Sequence, residues 1–140
     1  MTRYLVDTSA VKRAEVVEWM DAYSPDLFLS AVTIAEIAGG IAKAKREGAR
    51  QKAADLSAWL RAVLHLYSDR VLPFDTPTAE IAGDLADLAR GRGHSPGFAD
   101  IAIAAAARLH NLTILSRNKR HFVPMDVNVL NPFQQLPAGR

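Results

Sequence analysis

The sequence predicts an α/β fold, an α/β/α sandwich around a mainly parallel central sheet. Short apolar runs recur along the chain, and longer stretches with apolar residues at helical spacing lie between them. Such alternation is typical of parallel strands joined by crossover helices. A chain of 140 residues with 49% hydrophobic composition is also long enough to bury a core of its own. We therefore expect a single domain over residues 1–140.

The predicted elements of the first half begin with an apolar run that ends at Asp7. Small polar residues after Asp7 can start a helix, and Ser24-Pro25 and Gly48 interrupt the helical patterns that follow. In chain order these elements are strand Tyr4–Val6, helix Ala10–Tyr23, strand Leu27–Leu29, helix Thr33–Glu47 and helix Gln51–Tyr67.

The second half continues the alternation. Pro73 and the stretch 91–97 mark breaks, and Asn111 is suited to ending a helix. The last predicted helix is apolar on nearly all sides and rich in alanine, which indicates close packing by its neighbours. In chain order these elements are strand Val71–Leu72, helix Pro77–Arg90, helix Phe98–His110, strand Leu112–Leu115 and strand Val127–Leu130.

Three acidic residues, Asp7, Glu36 and Asp100, stand in apolar surroundings where an unpaired carboxylate is costly. If the fold brings them together, each pair at about 4 Å repels by about 4 kcal/mol at an effective dielectric constant of about 20. A divalent cation would offset this repulsion, and oxygen ligands favour magnesium or manganese over zinc. Ligands of open α/β sheets bind beyond the carboxyl ends of the strands, where Asp7 and Ser116-Arg117-Asn118 are predicted to lie.

Each acid also has a purely structural interpretation. Thr33-Ile34-Ala35-Glu36 fits a capping box, in which Glu36 would bond to free amides at the helix start. Asp7 could cap the first helix, and Asp100 lies where a helix dipole favours an acid. Sequence spacing alone does not choose between these interpretations and a metal site.

Composition excludes several classes of site. The chain has no cysteine, so it has no disulfide, thiolate metal site or cysteine nucleophile. It contains no apolar stretch of membrane-spanning length, and Met1-Thr2-Arg3 leads straight into a strand and not into a signal peptide, so we expect a soluble cytoplasmic protein. Net charge is +2, but cations cluster at Lys43–Lys52 and at Arg117–His121. The first cluster is more typical of a solvated helix face than of a polyanion site.

Five segments and the closing Asn131-Pro132-Phe133 carry a family resemblance over essentially the whole chain. The segments are Leu5-Val6-Asp7-Thr8-Ser9, Thr33-Ile34-Ala35-Glu36-Ile37, Leu72-Pro73-Phe74-Asp75, Ala99-Asp100-Ile101-Ala102-Ile103-Ala104-Ala105 and Ile114-Leu115-Ser116-Arg117-Asn118. In order and spacing they resemble the PIN-domain nucleases, and among these the VapC and FitB type toxins of bacterial toxin–antitoxin pairs.

This resemblance implies a magnesium- or manganese-dependent ribonuclease that is usually dimeric. It also implies a small antitoxin whose C-terminal arm lies over the active site and whose other half binds promoter DNA. By position, Asp7, Glu36 and Asp100 match the family's metal-binding acids. Asn118 stands where many relatives carry a further acid, so it can offer a carbonyl oxygen but no charge. We therefore expect one well-held ion, with another brought by the substrate phosphate.

The resemblance also suggests roles for the polar residues around these acids. Ser9 would cap the first helix or orient Asp7, and Ser116 and Arg117 would contact metal waters or the scissile phosphate. Lys119, Arg120 and basic residues of the Lys43–Lys52 helix would bind flanking phosphates of the RNA, which implies affinity that falls with salt.

Two other functions fit the same residues. A PIN-fold protein that has lost activity and acts only as an antitoxin's partner in a DNA-binding repressor complex is favoured by Asn118 and disfavoured by the three acids. An aspartyl-nucleophile phosphatase would need a second aspartate two positions after Asp7, where Ser9 stands. For a dimer, the candidate surface includes Trp59 with its neighbours and the helix after Pro77.

Overall fold

The computed structural model describes residues 2–7 and 24–132. The predicted helix Ala10–Tyr23, with Thr8 and Ser9 before it, lies outside the described residues. So does Phe133 of the closing motif. The single domain over residues 1–140 stays a prediction for the same reason.

The described residues contain one five-stranded sheet in which every pair of neighbouring strands is parallel. The strands are β1 (Tyr4–Val6), β2 (Leu27–Ser30), β3 (Val71–Leu72), β4 (Thr113–Leu115) and β5 (Val129–Leu130), in the order β3-β2-β1-β4-β5. Tyr4 of β1 aligns with Leu27 on one side and with Thr113 on the other. The chain therefore builds outward from β1 in one direction and then resumes on its other side with β4.

Within residues 2–7 and 24–132, four helices of at least three turns accompany the sheet. They are α1 (Ala31–Arg46), α2 (Arg50–Leu66), α3 (Thr76–Gly91) and α4 (Phe98–His110). Short 3-10 helices occupy Ser24–Asp26, Lys119–His121 and Val123–Met125. These bounds confirm the predicted strands and helices of the described ranges, with shifts of one or two residues at several ends. No helix in the described ranges is both long and apolar enough to cross a bilayer.

The sheet separates two hydrophobic clusters, which confirms the predicted sandwich. Leu5 and Ile114 belong to a cluster with α3 and α4, whereas their neighbours Val6 and Leu115 belong to a cluster with Val63 and Tyr67 around α2. Successive residues of a strand point to opposite faces of its sheet. Helices therefore cover both faces, with α3 and α4 on one side and α2 on the other.

The helix starts show which polar residues serve as caps. α1 begins at Ala31, because the Ser30 hydroxyl oxygen accepts a hydrogen bond from the Val32 amide at 3.1 Å. The capping box predicted at Thr33 is therefore wrong, since Glu36 lies a full turn further into the helix. Asp75 caps α3 by accepting bonds from the Thr78 amide and hydroxyl, which hold the pKa of Asp75 below its ordinary value.

Candidate metal and nucleic-acid site

Asp7 lies at the topological switch of the sheet. It directly follows β1, and its amide donates a hydrogen bond of 2.9 Å to the carbonyl of Leu115 at the end of β4. Strand order reverses between β1 and β4, which is where open parallel sheets form a crevice beyond the strand ends. The position predicted for Asp7 and for the segment after β4 is thus confirmed.

Asp7 is buried, with 6% of its surface exposed, and Ser116 supports its carboxylate. The fully buried Ser116 hydroxyl donates a hydrogen bond of 2.8 Å to Asp7 Oδ2 and accepts one of 2.9 Å from the Asn118 amide. The serine therefore connects the acid after β1 to the turn after β4. Its observed partner is the Asp7 carboxylate, whereas the sequence predicted contacts with metal waters or phosphate.

Asp100 is the second acid of the site and lies in the first turn of α4. Burial raises the pKa of its carboxyl, the nearby His121 opposes that rise, and repulsion from Asp7 adds to it. His121 Nδ1 lies 3.2 Å from Asp100 Oδ2. Asp7 and Asp100, which are distant in sequence, are therefore close enough to repel each other.

Glu36 lies on the exposed surface of α1 and lines a cavity of about 600 Å³ between α1 and α2. No group of three acidic or histidine side chains close enough to hold a metal ion occurs in residues 2–7 and 24–132. The structure thus brings Asp7 and Asp100 together, and the role of Glu36 as a third ligand stays a prediction. Lys43 and Lys52 line the same cavity, at the end of one helix and the start of the next.

One turn before Glu36 on α1, Thr33 is buried with 1% of its surface exposed. Its hydroxyl has no hydrogen-bond partner in the described part of the chain. Residues three apart in a helix share a face, so this hydroxyl belongs to the same side of α1 as Glu36. A buried hydroxyl without a partner costs stability.

The cations predicted to hold RNA surround two cavities. Arg117, Asn118, Lys119 and Arg120 line one of about 530 Å³, whereas Arg120 with Asp100 and His121 lines one of about 380 Å³. Lys119 and Arg120 form no salt bridge within the described ranges. Asn118 bonds to Ser116 through its backbone, so its side chain is not committed by that bond.

A second set of contacts holds the chain that follows this basic segment. Arg92 donates two hydrogen bonds to the Asp126 carboxylate, of 2.9 and 2.8 Å, and one of 3.2 Å to the carbonyl of Pro124. Arg108 of α4 donates to the carbonyls of Met125 and Asp126. The Arg92 bonds hold the pKa of Asp126 below its ordinary value. Asp126 is therefore the ion-pair partner of Arg92.

His121 is the site residue that sequence reasoning missed. In the sequence it stands out only as the end of the basic cluster Arg117–His121. In the structure its side chain contacts Asp100.

These residues fit a hard divalent cation. Asp7 and Asp100 supply carboxylate oxygens close enough to repel, and the cation would offset that repulsion. The unpartnered Thr33 hydroxyl next to Glu36 offers a further oxygen on α1. The donor set has no sulfur, which agrees with magnesium or manganese and not with a thiolate metal site.

Comparison with known proteins gives three similar proteins of closely matching length. The chain is 33% identical to Toxin FitB of Neisseria gonorrhoeae over 140 residues, which cover 92% of this chain and 97% of that protein. It is 32% identical over 120 residues to VapC ribonuclease Y4jK of Sinorhizobium fredii, covering 85% and 84% of the two chains. It is 29% identical to the plasmid stability protein StbB of Pseudomonas syringae over 141 residues, covering 93% and 98%.

Solved structures agree with these sequence matches. FitAB bound to a DNA fragment contains a chain that is 31% identical and superimposes with a TM-score of 0.76 over 98% of this chain and 99% of that one. A chain of DNA-bound VapBC from Salmonella typhimurium has the same fold, with a TM-score of 0.76 at 22% identity over 93% and 98% of the chains. The model of the PIN domain matches residues 4–126. The strand order, the acids beyond the strand ends and this match together establish that the chain belongs to the PIN-domain family.

Proposed function

We propose that this protein is a metal-dependent endoribonuclease and the toxin of a toxin–antitoxin pair. The observation that carries the proposal is that Asp7 and Asp100 lie close together at the topological switch point between β1 and β4. The basic segment Arg117–Arg120 lies beside them. The names of the relatives support the same function, since they include a toxin and a ribonuclease.

In this proposal Asp7, Asp100 and Glu36 hold magnesium or manganese, which supplies Lewis-acid chemistry toward a phosphodiester when bound. Ser116 keeps the Asp7 carboxylate in one orientation, and His121 does the same for Asp100. Both acids are thus positioned before substrate arrives, so little ordering is needed during binding.

The basic segment after β4 binds the RNA backbone. Arg117 contacts the scissile phosphate through its fork of donors, while Lys119 and Arg120 contact flanking phosphates. Asn118 offers a neutral oxygen beside them. Because these contacts neutralise phosphate charge, affinity for RNA falls as salt rises.

Partners follow from the same proposal. The relatives of known structure include FitAB and VapBC complexes on DNA, so we propose that a DNA-binding antitoxin inhibits this chain and that the two form a hetero-oligomer. We further propose that the toxin is a homodimer and acts in the cytoplasm. Charge substitution at Trp59 would lower the mass in solution if its surface joins the two copies.

The proposal is tested by incubating purified protein, freed of any antitoxin, with total cellular RNA and manganese, magnesium or chelator. Asp100→Asn is the inactive comparison, and Asp87→Asn is the matched control because Asp87 is an exposed acid on α3. We expect cleavage by the native chain and the Asp87 variant, lost with chelator and in the Asp100 variant. The Asp100 variant measures any contaminating nuclease, and metal-dependent cleavage by the native chain no greater than that of this variant would contradict the proposal.

A second function is favoured by Asn118, whose neutral side chain replaces an acid. In that case the chain binds an antitoxin and acts as a repressor subunit without cleaving RNA. Absence of cleavage with every metal, together with manganese binding no tighter than that of an Asp7→Asn variant, would support it.

A further inference from the structure

An exposed pair of aromatic rings lies near the acids and has no role in the site described above. Phe98, the first residue of α4, is 62% exposed, and Phe74 is 37% exposed. Their ring centroids are 5.3 Å apart with an interplanar angle of 73°, an edge-to-face contact. Both rings are therefore held in place while much of their surface faces solvent.

The position of these rings follows from the topology. Phe74 comes two residues after β3, and Asp7 and Ser116 come directly after β1 and β4. Because all strands are parallel, their carboxyl ends lie at one edge of the sheet. Phe98 contacts Phe74 and therefore lies at this same edge.

The distance to the reacting centre is short. Phe98 precedes Asp100 by two residues of α4, about 3 Å along the helix axis. Residues two apart do not share a helix face, so the ring points away from the carboxylate. A ligand that reaches both must therefore extend over more than one group, as a polynucleotide does.

The cavity beside Phe98 shares a cation with the basic segment after β4. It is lined by Gly97, which precedes Phe98, by Asp100 and by Arg120. Arg120 also lines the cavity that contains Arg117 and Lys119. A β-carbon at Gly97 would meet no atom within 4 Å, so there is open space beside the residue that precedes Phe98.

We propose that Phe98, braced by Phe74, is a stacking platform for a base of single-stranded RNA next to the scissile phosphate. This inference rests on the proposed ribonuclease function and adds a subsite to it. Every base has a π-face, so stacking tolerates any sequence, while the adjoining cations supply the complementary charge for the backbone. The RNA strand would then run from Phe98 past Asp100 to the Arg117–Arg120 segment.

The test measures binding of short single-stranded RNA containing one 2-aminopurine, in chelator so that no cleavage occurs. We expect the native protein to quench the fluorescence of the base at one position of the strand. Phe98→Ala should lose that quenching and weaken binding about 5- to 150-fold, which is the range for one stacked base. Phe98→Trp should retain both. Leu109→Ala, a similarly apolar and exposed change at the other end of α4, should leave both unchanged.

Salt dependence separates stacking from charge. Phe98→Ala should lower affinity without changing the slope of affinity against salt, because the ring carries no charge. Arg120→Ala should reduce that slope. A changed slope in the Phe98 variant, or equal binding by native and Phe98→Ala, would overturn the platform while leaving the ribonuclease proposal standing. Absence of RNA binding and of cleavage by the native chain would overturn both.

A second copy of the chain, in place of RNA, could also pack against the exposed rings of Phe98 and Phe74. Sedimentation of the native protein and of Phe98→Ala decides between the two. Equal masses support the stacking platform, because substitution then affects RNA alone. A dimer that dissociates when Phe98 is replaced would identify the ring as a subunit contact and overturn the proposal.

Discussion

Replacement of Ser116 by alanine tests how the Asp7 carboxylate is supported. The Ser116 hydroxyl is fully buried, donates to Asp7 Oδ2 and accepts the Asn118 amide. Ser30 is a natural control, because it is a buried serine at the end of β2 whose hydroxyl accepts the amide two residues ahead. The two serines differ in that Ser116 also donates to a carboxylate.

The expected magnitudes follow from these bonds. Ser30→Ala removes a helix cap and should cost about 0.5–2 kcal/mol of unfolding free energy. Ser116→Ala removes a comparable bond to an amide and, in addition, a bond to a charged group worth about 1.5–3 kcal/mol. The excess for Ser116→Ala should therefore be about 1.5–3 kcal/mol. For a domain of this length that excess lowers the thermal midpoint by about 5–15 °C relative to Ser30→Ala.

The assay is urea unfolding followed by circular dichroism, with the native chain, both single variants, Asp7→Asn and the Ser116/Asp7 double variant. We expect a coupling energy between Ser116 and Asp7 that is close to the excess, since the double-mutant cycle isolates the shared bond. Equal destabilisation by Ser116→Ala and Ser30→Ala, with no coupling to Asp7, would refute the support of the carboxylate by Ser116.

Three further predictions concern single side chains. Burial raises the pKa of Asp100, so the folded protein favours the protonated carboxyl. The stability that this carboxyl contributes is present at low pH and is lost when it ionises, as pH rises through the folded-state pKa. Asp100→Asn should therefore melt at a higher temperature than the native chain at pH 7. This difference in melting temperature should disappear below about pH 4 or on addition of manganese. A lower melting temperature of the variant at pH 7 would contradict the prediction. Arg92 lowers the pKa of Asp126, so Asp126→Asn should destabilise the fold near neutral pH, and thermal melts should show the deficit vanishing as the native carboxyl protonates at acid pH. Thr33→Val removes a buried hydroxyl without a partner and should stabilise the fold by about 1–3 kcal/mol in urea titrations; destabilisation would show that the hydroxyl has a bound partner.

Much of the fold could be predicted from the sequence, because the periodicity of apolar residues is a local property. α4 was predicted with the same ends as observed, since Phe98 begins its apolar run and Asn111 adopts the left-handed conformation that ends it. The start of α1 was placed at Thr33 although Ser30 caps the helix. Both residues are good caps, and the choice depends on where β2 ends.

The candidate site was predictable in part. Asp7 and Asp100 stood out as charges in apolar runs, and the structure brings them together. Contacts between distant segments were not predictable in the same way, because Ser116 and Asp7 are 109 positions apart and nothing local signals their bond. The contact of His121 with Asp100 was missed for the same physical reason. Whether Glu36 joins the two acids depends on geometry that sequence spacing does not contain.

The close packing of α4 also has a consequence for amide hydrogen exchange. Its residues 102–107 are all buried, with at most 1% of each exposed, and residues 103–107 lie in the core cluster that α4 shares with α3. Amides in such a segment exchange with solvent chiefly through global unfolding, whereas the first turn, with the exposed Phe98, can open locally. We therefore expect protection from exchange to rise steeply along α4 within one turn after Asp100. The acid would thus stand at the boundary between the slowest-exchanging part of the protein and a turn that can adjust to a ligand.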